Sequence, residues 1–216
     1  MTERIRYESR EAWLQGRRER NGIGASEAGA ILGDNPSLSR MDLWKIKTGA
    51  MPEQDLSDNE LVQRGIRMEK AVRYWFKCSH PELRVIHHPY DILFQTERPW
   101  LFATLDGEFT GRDSGEAGVL EIKTAEPRGR SGWEEWDGRI PQKYYDQLLH
   151  QHLATGRRWF FLAAALWSSN GDVIFREFEF RVDDGIAMDA QIVLQSDELF
   201  MNYVQRRQMP PTPIKL

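Results

Sequence analysis

Between Asn59 and about Lys77 the apolar residues Val62, Ile66, Val72 and Phe76 recur at helical spacing, and beyond Lys77 the period drops to that of strands. Strand-like runs follow at 83–88, 91–95, 101–105 and 118–123, separated by turn-forming residues. This switch of period constrains the chain most, because a helix followed by several short strands must pack as layers. The pattern then returns to a helix over 141–154, with Pro141 at its start, strands at 158–167 and 172–182, and a last helix over 183–207. Upstream, 8–18 and 26–32 read as short helices, the second with Ser26 as its N-cap. Ser39-Arg40-Met41-Asp42 has the form of a capping box, opening a helix that Gly49 should stop. Residues 50–58 form a polar connection, and Pro210-Pro211-Thr212-Pro213 an extended tail. The expectation is an α/β fold with a mixed central sheet flanked by helices and an N-terminal helical segment.

A length of 216 residues suits one domain, divided as a helical segment 1–58, a core 59–182 and a terminal helix and tail 183–216. Eight Trp and ten Phe supply a real core. No run approaches the roughly 18 apolar residues of a membrane span, so no membrane association is expected. The first twenty residues hold six Arg and no apolar run, which is unlike a secretory signal. Cys78 is the single cysteine, so no internal disulfide or cysteine-rich metal cluster can form, and a reducing cytoplasm is the expected home. A net charge of −4 argues against coating nucleic acid by bulk charge but leaves room for a local basic groove.

The chemistry is concentrated in Gly118-Val119-Leu120-Glu121-Ile122-Lys123. In a strand, Glu121 and Lys123 share one face while Leu120 and Ile122 share the other. Alone, such a pair is ordinarily a cross-face charge pair. Fifteen residues upstream of Glu121, the run 101–105 ends in Asp106-Gly107, which is also a common hairpin turn. A hairpin between these two runs would bring Asp106 beside Glu121. Glu69 lies in register with the apolar stripe of its helix, where a carboxylate needs a partner such as Arg73 or Lys123, a solvated head, or a cation. Three acids and a lysine suit magnesium, an oxygen-seeking ion that keeps waters and takes substrate phosphate. Asp106 and Glu121 would hold it, with the Ile122 carbonyl as a further ligand, and Lys123 would orient or deprotonate the attacking water. Tyr144, Gln147 and Gln151 share a helix face, either touching the site or packing behind it. His150 and His152 lie on other faces and read as surface or interface residues. Arg128, Arg130, Trp133, Trp136 and Arg139, in a long loop over 125–140, mix charge with aromatics as a strand-gripping loop would, although a structural role suits the two Trp better.

Asp106 followed by Glu121-Ile122-Lys123 resembles the PD-(D/E)xK nuclease motif. With Gly22-Ile23-Gly24-Ala25-Ser26-Glu27, Arg64-Gly65 through Glu69, and Tyr144-x-x-Gln147 in the same order, residues 11–167 resemble the YqaJ-like viral recombinases, the family of the lambda-type phage exonucleases. Leu105 departs from the motif's proline, which is not a ligand. The resemblance implies a restriction-endonuclease-like core, metal ligation at Asp106, Glu121 and the Ile122 carbonyl with Glu69 close by, and Lys123 as the catalytic lysine. It further implies a 5′-phosphate pocket at Arg20, Ser26, Thr104 and Gln147, supported by Tyr144 and Gln151. A guanidinium and free N–H groups at a helix start would serve such a pocket, though Arg20 could equally be a solvated member of the Arg17-Arg18-Glu19-Arg20 run. The implied activity is Mg2+-dependent exonucleolytic digestion of double-stranded DNA ends, 5′ to 3′, with Mn2+ able to substitute. The implied setting is a homotrimer in a bacterial cytoplasm, phage or prophage encoded, acting with a single-strand annealing protein. The alternatives are a repair or restriction endonuclease on the same fold and a non-catalytic DNA-end-binding module.

Overall fold

The computed structural model describes residues 1–56 and 58–211, so Thr212 and Pro213 of the expected tail lie outside the described residues. The chain runs β1 (Thr2–Arg6), α1 (Arg10–Arg20), β2 (Ile23–Gly24), a 3-10 turn (Ala25–Glu27), α2 (Ala28–Leu32), α3 (Arg40–Lys47) and α4 (Glu60–Ser79). It continues with β3 (Leu83–Ile86), β4 (Asp91–Gln95), β5 (Arg98–Ala103), β6 (Gly107–Gly111) and β7 (Ala117–Ala125). After α5 (Gly129–Glu134) and α6 (Gln142–Thr155) come β8 (Trp159–Trp167), β9 (Val173–Arg181) and α7 (Asp184–Gln205). The helices end where local chemistry says they should. Ser9 accepts from the Ala12 N–H, Ser39 from Asp42 and Asp183 from Ile186, each supplying a hydrogen bond to an otherwise orphaned donor. α3 stops at Lys47, two residues before Gly49 at φ +75°.

Two sheets form, and a mixed α/β core results. The larger has the order β3-β6-β7-β8-β9, with β7 and β8 parallel and the other neighbours antiparallel. The α5–α6 crossover joins the two parallel strands, as parallel pairing requires. β8, Trp-Phe-Phe-Leu-Ala-Ala-Ala-Leu-Trp, is buried as far as Leu166, and its unbroken apolar run is what a strand covered on both faces demands. On one face, Val72 and Phe76 of α4 pack with Leu120, Ile122 and Phe161; on the other, Val119, Phe160 and Leu162 pack with Leu148 of α6. The smaller sheet has the order β1-β4-β5-β2, and its Leu93, Leu101 and Ala103 join the α6-side core. α6 therefore lies between the two sheets.

Several expectations change. β1 and β6 are not among the strands expected from the sequence; β1 is held by Arg4, which bonds Asp91 at 2.7 Å and Glu108 at 2.5 Å. No hairpin joins 101–105 to 118–123: β5 belongs to the smaller sheet, and β6 is the antiparallel neighbour of β7. The loop over 125–140 contains α5. Pro141 is the N-cap residue of α6 rather than its first helical residue. Ser26 lies inside the 3-10 turn, where Glu27 accepts from the Gly24 N–H at 2.8 Å instead. On α4 only the second half of the apolar stripe is buried, since Val62 is 36% and Ile66 47% exposed. The first half lies against the end of β7, where a Cβ on Gly65 would come within 2.9 Å of Thr124 Oγ1 and force that side chain to shift. Arg64 fixes it there, 3.1 Å from Glu126 and 4.6 Å above the Trp167 ring.

Candidate active site

β7 turns Glu121 and Lys123 toward α6, as strand alternation requires. Glu121 is 2% exposed yet fully engaged. Its Oε1 accepts from Gln147 Nε2 at 2.7 Å and lies 2.6 Å from Lys123 Nζ, while Oε2 accepts from Gln151 Nε2 at 2.5 Å. Lys123 also donates to Gln147 Oε1 at 2.8 Å and stands 5.0 Å over the Tyr144 ring. One turn of helix separates Gln147 from Gln151, so α6 delivers two amides to one carboxylate. Tyr144, Gln147 and Gln151 thus surround the acid–lysine pair directly.

Asp106 reaches the same place from the β5–β6 junction. Its Oδ2 accepts from the Ile122 N–H at 2.8 Å, so the β6 end carries it beside β7 without the expected hairpin. Arg73 Nε donates to the Asp106 carbonyl at 2.8 Å and pins that junction to α4. Arg73 is a residue the sequence offered only as a partner for Glu69; its spacing of four from Glu69 was the available signal. Burial, reinforced by the neighbouring Glu121 charge, pushes the Asp106 carboxyl well above the usual carboxylate range. Burial also raises Glu69, with Glu121 adding to the rise and Arg73 and Lys123 opposing it, which places Glu69 on the rim of the same charge cluster. For Lys123, burial would lower the pKa, but Glu121 and Asp106 outweigh it and hold the ammonium above its ordinary value.

Among the described residues no three His, Cys, Asp or Glu side chains form a ready-made metal cage. The donors nonetheless fit a hard cation. Asp106 and Glu121 bring two carboxylates together at the β7 edge, where burial first and the Glu121 charge second hold the Asp106 carboxyl above its usual range. The Ile122 N–H faces Asp106, and the carbonyl of a strand residue points to the same edge as its N–H. Asp106, Glu121 and the Ile122 carbonyl would therefore hold the ion, with Glu69 beside them.

The four residues expected at a 5′-phosphate pocket do not all come together. Arg20 is turned to the smaller sheet: its Nη1 donates to the Pro99 carbonyl at 2.5 Å and its guanidinium lies 4.0 Å above the Phe94 ring. Arg17 stands in its place, 3.5 Å from Thr104 Oγ1, beside Trp13 Nε1 at 3.3 Å from the same oxygen. Its guanidinium lies 5.0 Å from the Trp13 ring and 5.3 Å from the Phe102 ring, and a Cβ on Gly24 would come within 3.1 Å of it. The i,i+4 spacing of Trp13 and Arg17 could have selected it. Arg17, Arg18 and Lys47 line a cleft of about 500 Å3. Ser26 is exposed at the adjoining turn, whereas Gln147 belongs to the carboxylate cluster. His150, expected at the surface, is fully buried, with Nδ1 2.8 Å from Asp197 and Nε2 3.2 Å from the Phe102 carbonyl. Trp136 is buried and Trp133 packs against the core, so the aromatics of the 125–140 segment are structural, while Arg128, Arg130 and Arg139 are exposed.

Solved structures resemble this fold. The alkaline exonuclease LHK-Exo of Laribacter hongkongensis superposes with a TM-score of 0.61 at 19% identity, covering 91% of this chain and 97% of that one. A phage related exonuclease from Haemophilus somnus 129PT gives 0.56 at 10% identity, covering 85% and 94%. At such identities the likeness concerns the fold. The uncharacterized protein YqaJ of Bacillus subtilis (strain 168) is 30% identical over 193 residues, which make up 88% of this chain but 57% of that protein, so the chain spans little more than half the relative's length. The YqaJ-like viral recombinase domain matches residues 12–158, and by that match the chain belongs to the YqaJ-like viral recombinase family.

Proposed function

We propose that the chain is a divalent-metal-dependent DNA exonuclease that digests duplex ends 5′ to 3′ and leaves 3′ single-stranded tails for phage-type recombination. The observation that carries this reading is the meeting of Asp106, Glu121 and Lys123 at one end of β7, with Glu69 on the rim. Magnesium, or manganese in its place, would supply charge neutralisation at the scissile phosphate and a more acidic water. The residues do the rest. Gln147 and Gln151 fix the rotamer of Glu121, and the Ile122 N–H fixes Asp106. Lys123 spends two N–H bonds on Glu121 and Gln147, which leaves a third for a water or phosphate oxygen. There it orients that oxygen and offsets charge. Arg17 and Thr104, beside the Ser26 turn, form the anion pocket for a 5′-phosphate. A trimer, a cytoplasmic setting and a single-strand annealing partner complete the proposal, and rest on family resemblance.

The test is digestion of linear duplex labelled at the 5′ or the 3′ end, with magnesium or with chelator, against a covalently closed circle. Metal-dependent loss of the 5′ label first, with the circle intact, supports the reading. Cutting of the circle would make the protein an endonuclease, and no cleavage of any substrate would leave it a binding module.

A further inference from the structure

Helix α4 carries a feature that the catalytic cluster does not use. Arg67, Lys70, Tyr74 and Lys77 are all exposed and fall at spacings of three and four, so they form one lengthwise stripe. Tyr74 is 70% exposed. Among the described residues none of the three cations forms an ion pair, although surface helices ordinarily interleave acids with bases. On α4 the only acids are Glu60 and Glu69, and Glu69 belongs to the catalytic rim. A chain of net charge −4 thus sets three uncompensated cations in a row, Arg67 and Lys70 being like charges at i,i+3. The stripe lies opposite the buried Val72 and Phe76 and borders the strip that holds Glu69 and Arg73. From Arg67 to Lys77 it is about 15 Å long at the helical rise of about 1.5 Å per residue, roughly four base-pair steps of duplex.

We propose that this stripe is a docking track for the sugar-phosphate backbone of the duplex ahead of the cleavage site, with Tyr74 packing on sugar between the cationic contacts. It rests on the nuclease reading for the identity of its ligand. The spacing fits a polyanion: single phosphates need a pocket, whereas a row of separated cations matches a row of phosphates. The site itself needs such help, because its carboxylates repel the backbone until neutralised. An acidic protein would also meet three cations, but nothing would then account for their alignment beside the catalytic rim.

The test measures binding apart from cleavage. Fluorescence anisotropy follows a labelled duplex of about 30 base pairs against the wild type and the Arg67→Gln/Lys70→Gln/Lys77→Gln variant, in chelator and over a range of salt. Glutamine keeps helix propensity, and thermal melting checks that the fold is retained. Removal of three phosphate contacts should lower the slope of log affinity against log salt by about 2 to 3 and weaken binding tenfold or more at moderate salt. A charge-matched control, Arg10→Gln/Arg206→Gln/Arg207→Gln, should keep the wild-type slope. An unchanged slope in the stripe variant, an equal fall in the control, or a wild type that binds no duplex overturns the proposal. If the wild type binds with the stripe-dependent slope yet digests nothing in magnesium, the nuclease reading fails and the track stands. If it digests duplex while the stripe variant binds normally, the reverse holds.

Discussion

The two polar regions around β5 are built on opposite plans. At β7, two carboxylates are drawn out of water and surrounded by amide and ammonium donors, and burial, with Glu121 beside it, still holds the Asp106 carboxyl well above the usual range. Around Thr104, Arg17 meets aromatic rings rather than acids, and the cleft beside it is open. The first region gathers acids around Lys123, and the second gathers Arg17, Arg18 and Lys47 around an open cleft that Glu27 and Glu53 also line. On the proposed reading a cation would complete one, an anion the other, and a DNA end on a metal ion would bring both. The difference teaches that, on the proposed reading, the carboxylate half would need only an ion to be complete, whereas the arginine half would be completed only by a ligand. Substitutions should therefore separate the two cleanly.

The largest expected effect is at the carboxylates. Asp106→Asn and Glu121→Gln preserve shape and remove one charge, so cleavage in magnesium should fall at least a thousandfold, a barrier increase of about 4 kcal/mol. Stability should move the other way for Asp106→Asn in metal-free protein. The raised folded-state pKa means that the folded chain keeps a proton which the unfolded chain loses, so wild-type stability falls as pH rises above the unfolded carboxylate value. Asn has no such proton, and the variant's melting temperature should gain on wild type between pH 4 and pH 7. Near-wild-type turnover in either variant, or a gap that closes with rising pH, would break the contrast.

The next effect separates two arginines. Arg17→Ala should remove most of the preference for a 5′-phosphorylated end over a 5′-hydroxyl end, about ten- to a hundredfold for one lost charge-assisted contact, or roughly 1.5–3 kcal/mol. Arg20→Ala should leave that preference alone and lower the melting temperature, since it removes the bond to the Pro99 carbonyl and the stacking on Phe94. Rate ratios on the two ends and a melting curve for each variant decide it. Loss of preference in the Arg20 variant alone would restore the assignment that the family resemblance implied.

The difference between Arg20 and Arg17 in their contacts marks what the sequence could carry. Glu121 and Lys123 share a face because strands alternate, and Tyr144, Gln147 and Gln151 share one because helices turn every 3.6 residues; both facts are local, and both were readable. The approach of Asp106 to the Glu121 strand was anticipated through the wrong connection, since nothing local in Gly107–Gly111 separates a turn from a short strand paired with β7. The surroundings of Thr104 were harder. They draw on α1, the β2 turn and the end of β5, and which arginine of a run points inward depends on how α1 lies on the smaller sheet. β1, whose edge pairing rests on Arg4 reaching Asp91 and Glu108 in other strands, was invisible for the same reason. His150 was misplaced because its partner, Asp197, lies on α7 far along the chain.

The smallest effect serves as a reference outside both regions. At the end of α4, His80 is 2.7 Å from Glu82 through Nδ1 and 2.8 Å from Glu177 through Nε2, and its ring lies against Phe76 and Phe161. Burial would lower the imidazole pKa, but the two carboxylates raise it overall. A raised histidine pKa gives stability that is fully present below the unfolded value, near 6.5, and is lost as pH climbs through the folded value. With Glu82 mostly solvated, the contribution should be about 1 kcal/mol or less. His80→Gln keeps a polar ring-sized group but cannot be charged, so wild type should melt above it at pH 5.5 and the gap should narrow toward pH 8.5. Neither the pH dependence of cleavage nor the 5′-phosphate preference should change. A constant gap would mean that His80 contributes only packing. A shifted cleavage profile would mean that the end of α4 is coupled to the catalytic cluster through Arg73 and Glu69, and the two regions would no longer be separable by substitution.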